Sequence, residues 1–231
     1  MAPTVAIIIP VLNERMLIID ALHRASCLGA DEIIVVDGNS TDGTYELVKE
    51  RFPYVRCLKT VYANRALQIN VGAKEALSDI LIFLHADMKL AVHSIERIKQ
   101  SIQLGNVGGG FMKRYEPSNV LLNIYGFLIN YIYLGVYRNL VGSNAIFIKR
   151  DTFESLKGFP EVDFMEDVVF SNMLKESGKV AVIDEPVTVS SRRYQQNGVL
   201  KQMMRNAKVM IGYSCLHQSP QELKKVYAAH V

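Results

Sequence analysis

The stretch Ile80-Leu81-Ile82-Phe83-Leu84-His85-Ala86-Asp87 constrains this chain more than any other. Its five apolar residues, rich in β-branched and aromatic types, read as a strand buried on both faces of a parallel sheet. The run stops abruptly at a histidine and a carboxylate. In open α/β sheets, ligands bind beyond the carboxyl ends of the strands. Asp87 is therefore offered where a phosphate or a metal ion would sit; the alternative is that it caps the following helix.

The preceding residues repeat the pattern. Val5 to Ile9 reads as a buried first strand, stopped by Pro10, which cannot donate to a ladder. Met16 to Leu28 has helical spacing, with Gly29 as its C-cap. Glu32 to Val36 is a second buried strand, and it too ends in a carboxylate, Asp37. The turn Gly38 to Gly43 leads into a helix over Thr44 to Arg51, with Ser40 or Thr41 as N-cap and Asp42 near the positive end of the dipole. A short strand near Val55 to Leu58, a helix over Ala66 to Leu77 and another from Val92 to Leu104 complete this half. Strands and helices alternating at this length predict an α/β fold, a mostly parallel central sheet flanked by helices.

The second half is less regular. Gly108 to Met112 reads as a strand approached closely by backbone or ligand. It is no dinucleotide fingerprint, because GxGxxG is absent. Val120 to Tyr137 is apolar almost all round but is interrupted by Asn123 and Asn130. It reads as a buried helix, a homodimer interface, or a surface for the membrane or a lipid-like acceptor. Ala145 to Ile148 and Val180 to Ile183 read as strands, and Asp167 to Ser177 and Val199 to Tyr213 as helices.

At 231 residues the chain fits one large domain with a full core. A net charge of +3 is too small to make nucleic acid the main partner. Cys27, Cys57 and Cys215 are widely spaced, without CxxC, which suits a reducing compartment and carries no zinc signature. The N-terminus enters a strand with no charged n-region, so the expected location is cytoplasmic, with the membrane periphery as the alternative that Val120 to Tyr137 raises.

Carboxylates at the ends of two buried strands, Asp37 and Asp87, suit a hard divalent cation, Mg2+ or Mn2+, bridging a diphosphate. Asp37 alternatively hydrogen-bonds a ribose or base. Glu166-Asp167, after Gly158-Phe159-Pro160, lies at a loop-to-helix boundary. There a carboxylate either caps the helix or serves as a base near a metal-held diphosphate.

Three segments then form a recognisable set: Ile8-Ile9-Pro10-Val11-Leu12-Asn13-Glu14, Val35-Val36-Asp37-Gly38-Asn39-Ser40-Thr41-Asp42-Gly43-Thr44, and Phe83-Leu84-His85-Ala86-Asp87. Together they resemble the inverting glycosyltransferases of family 2, which have the GT-A (Rossmann-like) fold. The middle segment matches the family's Asp-Gly-x-Ser-Thr-Asp-Gly-Thr motif, and Glu166-Asp167 resembles its Glu-Asp motif. Further matches at Arg65 to Ala73, Phe159-Pro160 and Ser191-Arg192-Arg193-Tyr194 are most similar to the short arsenosugar-biosynthesis-type subgroup, and the resemblance covers nearly the whole chain.

The resemblance implies one domain over 1–231, with a nucleotide-binding half to about residue 105 and an acceptor-binding half from about 106. It implies that Pro10, Leu12, Glu14, Asp37 and Asn39 hold a nucleotide-diphosphate sugar. Asp87 would be the metal-binding aspartate of the family's Asp-x-Asp motif, with Ala86 between it and His85. His85 stands where the wider family has an aspartate. Arg65, Arg192 and Arg193 would grip the diphosphate, as guanidinium groups do bidentately. Asp167, with Glu166 beside it, would be the general base for an acceptor that is lipid-like or a small molecule. Gly142-Ser143-Asn144 departs from the subgroup's Gly-Asp-Gln, a loss of an acidic group expected to alter acceptor recognition. A sugar-1-phosphate nucleotidyltransferase is the alternative enzyme, but it would want a glycine-rich basic loop where Leu12-Asn13-Glu14 stands. A non-catalytic nucleotide-sugar binding protein is the alternative from another class.

Overall fold

Burial along the first strands explains why they read as unbroken apolar runs. A computed structural model of the chain describes residues 2–228 apart from 163, 215 and 217. In it Val5, Ile7, Ile9 and Val11 face one core and Ala6 and Ile8 the opposite one. Ile80 and Ile82 likewise divide from Leu81 and Phe83, and Val35 from Ile34 and Val36. A strand alternates its side chains between faces. A sheet covered on both sides therefore needs apolar residues at every position.

The elements in order are β1 (Val5–Val11), α1 (Arg15–Ser26), β2 (Glu32–Asp37), α2 (Thr44–Arg51), β3 (Arg56–Lys59), α3 (Arg65–Glu75), β4 (Ile80–Phe83), β5 (Met88–Lys89) and α4 (Ser94–Gln103). There follow β6 (Gly108–Glu116), α5 (Val120–Leu128), a π-helical continuation over Ile129–Val136, a 3-10 turn at Gly142–Asn144, β7 (Phe147–Lys149) and α6 (Arg150–Ser155). The last are α7 (Glu166–Ser177), β8 (Val180–Ser190), α8 (Arg192–Asn197), α9 (Val199–Ser214) and α10 (Pro220–Ala228). The sheet runs β3-β2-β1-β4-β7-β6-β8-β5. The pairs β1/β2, β1/β4, β2/β3 and β6/β8 are parallel, whereas β7 is antiparallel to both its neighbours and β5 to β8. This is the mostly parallel α/β sheet expected, with an antiparallel insertion at β7.

Three local expectations need correction. Pro10 does not stop β1, which pairs with β2 through Pro10↔Val36 and Val11↔Asp37. Ile8 carbonyl accepts from Leu84 on the β4 side, so the missing N–H of Pro10, two residues on, faces the flank where β4 has already ended at Phe83. No ladder bond is lost there. The cap of α2 is neither Ser40 nor Thr41; the residue before the helix is Gly43, at φ 81°. Asp87 does not cap the next helix either, because β5 follows it at once and α4 begins only at Ser94.

The glycines of β6 answer to packing. A Cβ on Gly109 would lie 2.4 Å from Ala181 carbonyl on β8 and 2.7 Å from the Phe147 ring. Close approach by neighbouring strands thus accounts for the glycine run without a ligand. Cys27 is exposed and Cys57 half-buried, both as free thiols, and Cys215 lies outside the described residues. Among the described residues no helix is long and apolar enough to cross a membrane.

Candidate active site

The C-terminal ends of β1, β2 and β4 meet at one edge of the sheet, and side chains there are tied down before any ligand arrives. Asn13 amide donates to Ser40 Oγ at 2.9 Å, and Thr41 amide donates to Asn13 Oδ1 at 2.9 Å. Glu14 amide donates to Thr44 Oγ1 at 3.0 Å, and Arg15 amide to Asp42 Oδ2 at 3.1 Å. Asp42 Oδ1 accepts from the amide and hydroxyl of Thr44 at 3.0 and 2.5 Å. Burial alone would raise the Asp42 carboxyl, but these bonds from Thr44 and Arg15 bring it below the usual range. Ser40, Thr41, Asp42 and Thr44 therefore fix the Asn13–Arg15 turn. Gln68 adds a clamp the sequence reading missed. Its buried amide nitrogen donates to the carbonyls of Val11 at 2.8 Å and Val36 at 2.7 Å, joining the ends of β1 and β2.

Asp37 sits inside this frame, fully buried. One carboxylate oxygen accepts from Ser40 amide at 2.8 Å; the other, Oδ1, is buried without a hydrogen-bond partner among the described residues. A buried acceptor left without a donor costs about 1–3 kcal/mol. That atom is the strongest local sign that a ligand donor belongs here. Pro10 is half-buried at the strand end, Leu12 is exposed, and Asn39 is exposed at φ 68° without a hydrogen bond among the described residues.

At the end of β4, His85 carbonyl accepts from Met88 amide at 3.1 Å, which turns the chain and brings Asp87 to the edge. Buried Ala86 offers its carbonyl to Arg24 at 3.4 Å. Desolvation pulls the His85 imidazole down to about 3, and the positive fields of Arg65 and Arg193 act in the same direction. His85 is thus neutral at physiological pH. Burial raises the Glu14 carboxyl; Arg192 opposes this, while the charges of Asp87 and Asp42 add to it. Glu14 therefore feels both Asp87 and Arg192, and His85 both Arg65 and Arg193. Both arginines open α8 and are exposed, and neither is ion-paired among the described residues.

The second half supplies the opposite wall. Gly142 amide donates to Asp167 Oδ2 at 2.6 Å, while Asp167 Oδ1 accepts from Val168 amide at 2.8 Å. A Cβ on Gly142 would lie 3.0 Å from His85 Nε2 and 3.3 Å from Asp167 Oδ2. His85, at the end of β4, and Asp167, in the first turn of α7, thus converge on Gly142, where a Cβ would be crowded from both sides. Glu166 is buried and paired with Arg65 Nη1 at 2.9 Å. Its burial raises the carboxyl in spite of Arg65, and the charge of Asp167 adds to the effect. Glu166 is thus joined to one of the arginines expected to grip the diphosphate.

Two residues here run against the sequence reading. Asn144, expected to bear on the acceptor, is 1% exposed; it donates to Phe111 carbonyl at 2.8 Å and accepts from Val141 amide at 3.0 Å, bracing the loop against β6. Lys113 was missed. It is 7% exposed on β6, its Nζ lies 3.1 Å from Ser143 Oγ, and desolvation brings its ammonium down to about 8 against the opposing field of Asp167. Its signal in the sequence is a lysine closing the run Gly108-Gly109-Gly110-Phe111-Met112.

The sheet order and flanking helices, with oxygen donors gathered at the ends of three parallel strands, define an α/β fold of the GT-A type. The sequence profile of Glycosyl transferase family 2 matches residues 6–153, and the chain belongs to that family. The match holds every expected donor residue except Arg192 and Arg193 and ends before Glu166. None of the curated proteins matches the sequence. Among solved structures, the 1–349 fragment of TarS from S. aureus is 16% identical over 98% of this chain and 70% of its own, with a TM-score of 0.65. The mannosyltransferase PcManGT from Pyrobaculum calidifontis, in complex with GDP-Man and Mn2+, is 19% identical over 99% and 69%, with a TM-score of 0.68. Glucosyl-3-phosphoglycerate synthase from Mycobacterium tuberculosis, in complex with Mn2+, UDP and glucosyl-3-phosphoglycerate, is 19% identical over 92% and 80%, with a TM-score of 0.63. At these identities the likeness is one of fold.

Proposed function

We propose that this glycosyltransferase moves a sugar from a nucleotide-diphosphate sugar to an acceptor hydroxyl with inversion, assisted by Mg2+ or Mn2+, and that it belongs to the short arsenosugar-biosynthesis-type subgroup. The reading is carried by the convergence of His85 and Asp167 on Gly142, which sets a carboxylate across from the strand ends. Relatives of the same fold bound to UDP or GDP-Man support the donor class.

Asp37 receives the nucleoside on its free Oδ1, with Pro10, Leu12 and Asn39 along the same edge. Arg192 and Arg193 face the diphosphate, and Arg65 is held toward it by Glu166. Asp87 would hold the cation. The donor set fits a hard ion: Asp87 raises the Glu14 carboxyl by repulsion, which a divalent cation relieves. Among the described residues no three His, Cys, Asp or Glu groups cluster as a complete cage. Asp87 alone would then hold the ion from the protein side, as suits a hard cation that keeps most of its water and phosphate ligands. When bound, the ion neutralises charge on the leaving diphosphate.

Asp167 takes the proton of the acceptor hydroxyl as its oxygen bonds to the anomeric carbon. The bond to the diphosphate breaks on the opposite face, and the nucleotide leaves with the electron pair. Two backbone N–H groups orient the Asp167 carboxylate, which retains lone pairs for this proton. Nucleoside diphosphate release from a panel of donors, with and without Mn2+, together with the anomeric configuration of the product by NMR, tests the proposal. Metal-dependent release with inversion is expected; retention, or release indifferent to chelator, would overturn it.

A further inference from the structure

Among the described residues nothing covers the outer face of the helix that begins at Val120. From Val120 to Tyr137 there is no Asp, Glu, Lys or Arg. Val120, Ile124, Phe127 and Tyr131, spaced as one helical stripe, are 74, 54, 59 and 51% exposed, and Val136 is 71% exposed. A continuous apolar face of this kind marks a contact surface. The inner side is fully committed: Asn130 exchanges hydrogen bonds with the backbone of Lys113 at 2.8 Å each way, and Leu122 and Leu134 are buried. The neighbouring α9 meets α5 where Asn206 donates to Tyr125 Oη at 3.4 Å, and it too exposes apolar residues, Leu200 and Met204.

Charge decides the occupant. No acidic residue occurs between Glu116 and Asp151, or between Glu185 and Glu222. α5, its π-helical continuation, α8 and α9 therefore carry no negative side chain. Exposed Arg138, Arg192, Arg193, Lys201 and Lys208 accompany the apolar face. A second copy would bring the same positive charges against these, whereas an anionic bilayer complements both the apolar stripe and the basic residues.

We propose that the face formed by residues 120–137 with the exposed side of α9 is a peripheral docking surface for an anionic phospholipid bilayer. The π-helical stretch that ends the outer stripe is tied through Asn130 to the backbone of Lys113, whose Nζ lies 3.1 Å from Ser143 Oγ, beside the Gly142 amide that donates to Asp167. Docking would therefore bring the acceptor wall of the site to the lipid surface. Only that last consequence rests on the glycosyl-transfer reading; lipid binding is measured with neither donor nor acceptor.

The experiment is co-sedimentation of the full chain with phosphatidylglycerol–phosphatidylcholine vesicles and with phosphatidylcholine alone, at low and high salt, alongside light scattering. Binding to the anionic vesicles, weakened by salt and at least tenfold lower on phosphatidylcholine, is expected. Ile124→Asp/Phe127→Asp changes exposed side chains, so its far-UV circular dichroism should match wild type while the partition coefficient falls at least tenfold. Lys201→Glu/Lys208→Glu should reduce the preference for the anionic vesicles and leave any donor turnover in detergent-free solution unchanged. Absence of vesicle binding, or equal binding by wild type and Ile124→Asp/Phe127→Asp, would overturn the proposal. A stable dimer that Ile124→Asp/Phe127→Asp dissociates, without vesicle binding, would overturn it in favour of a second copy.

Discussion

The two halves of the molecule differ in what their polar side chains do before a ligand arrives. Up to α4, the groups around the strand ends are bonded to one another: Asn13 with Ser40 and Thr41, Asp42 with Thr44 and Arg15, Gln68 with Val11 and Val36. Asp37 Oδ1 stands apart from these as a buried acceptor with no partner among the described residues. From β6 onward the groups facing the site divide: Asp167 accepts from Gly142 and Val168 and Glu166 pairs with Arg65, whereas the basic groups are less tied. The Lys113 ammonium has one hydrogen bond among the described residues, to Ser143, and Arg192 and Arg193 stand exposed. The first half is thus the more completely tied down, while the second keeps exposed basic groups. A donor whose nucleotide and diphosphate are constant, and an acceptor that varies, would need that division.

Breaking the catalytic wall should give the largest effect. Asp167→Asn removes the proton acceptor, and turnover should fall ~10²–10⁴-fold, with donor affinity nearly unchanged. An asparagine offers one acceptor oxygen where Gly142 and Val168 amides need two. The variant's thermal unfolding should therefore be recorded, and rates compared where it is folded. Turnover within about threefold of wild type would assign the base elsewhere.

Next in size is Asp87→Ala. Calorimetric titration with a nucleoside diphosphate and Mn2+ should lose at least ~10²-fold in affinity, since removing even an outer-shell partner of a metal ligand costs 10–100-fold. An unchanged titration would remove Asp87 from the metal.

A purely structural probe of the first half is Gln68→Leu. It leaves the carbonyls of Val11 and Val36 buried without their side-chain donor, at a cost of about 2–3 kcal/mol in urea unfolding. A loss below about 0.5 kcal/mol would mean the two strand ends hold together without this clamp.

The smallest effect, of opposite sign, belongs to Lys113. Its ammonium is lowered from 10.5 to about 8 in the folded chain, so between those values the unfolded state binds more protons. Stability from this group therefore rises as pH goes from about 8 to 10.5, and below pH 8 the buried charge is a cost. Lys113→Met should stabilise the protein at pH 7 by roughly 1–2 kcal/mol and flatten that alkaline rise in denaturant titrations. A destabilised variant would mean the bond to Ser143 outweighs the buried charge.

Legibility in the sequence follows the same divide. Strands β1, β2 and β4 were readable because burial on both faces demands unbroken apolar runs, and the carboxylates after them mark the site's edge. The sequence reading also placed α2 over the residues it occupies, but not its cap, because Asp42 accepts from Thr44 two residues on. Pro10 misled because a proline is harmless wherever the neighbouring strand has already ended. β6 was foreseen only to Met112 and runs to Glu116, and α10 was not foreseen although Ser219 and Glu222 bond reciprocally at its start. Lys113 and Asn144 could not be sorted from the sequence. Whether a polar residue faces a crevice or braces a loop depends on contacts between distant elements.

The account's central claim is that the donor is held by the three strand ends of the first half. Amide hydrogen exchange of the wild-type chain, with and without UDP or GDP plus Mn2+, tests it most directly. Slower exchange is expected at residues 12–15, 38–44 and 85–88, with little change over 120–137. Protection centred on 120–137, or none at the strand ends with either nucleotide at saturation, would contradict it.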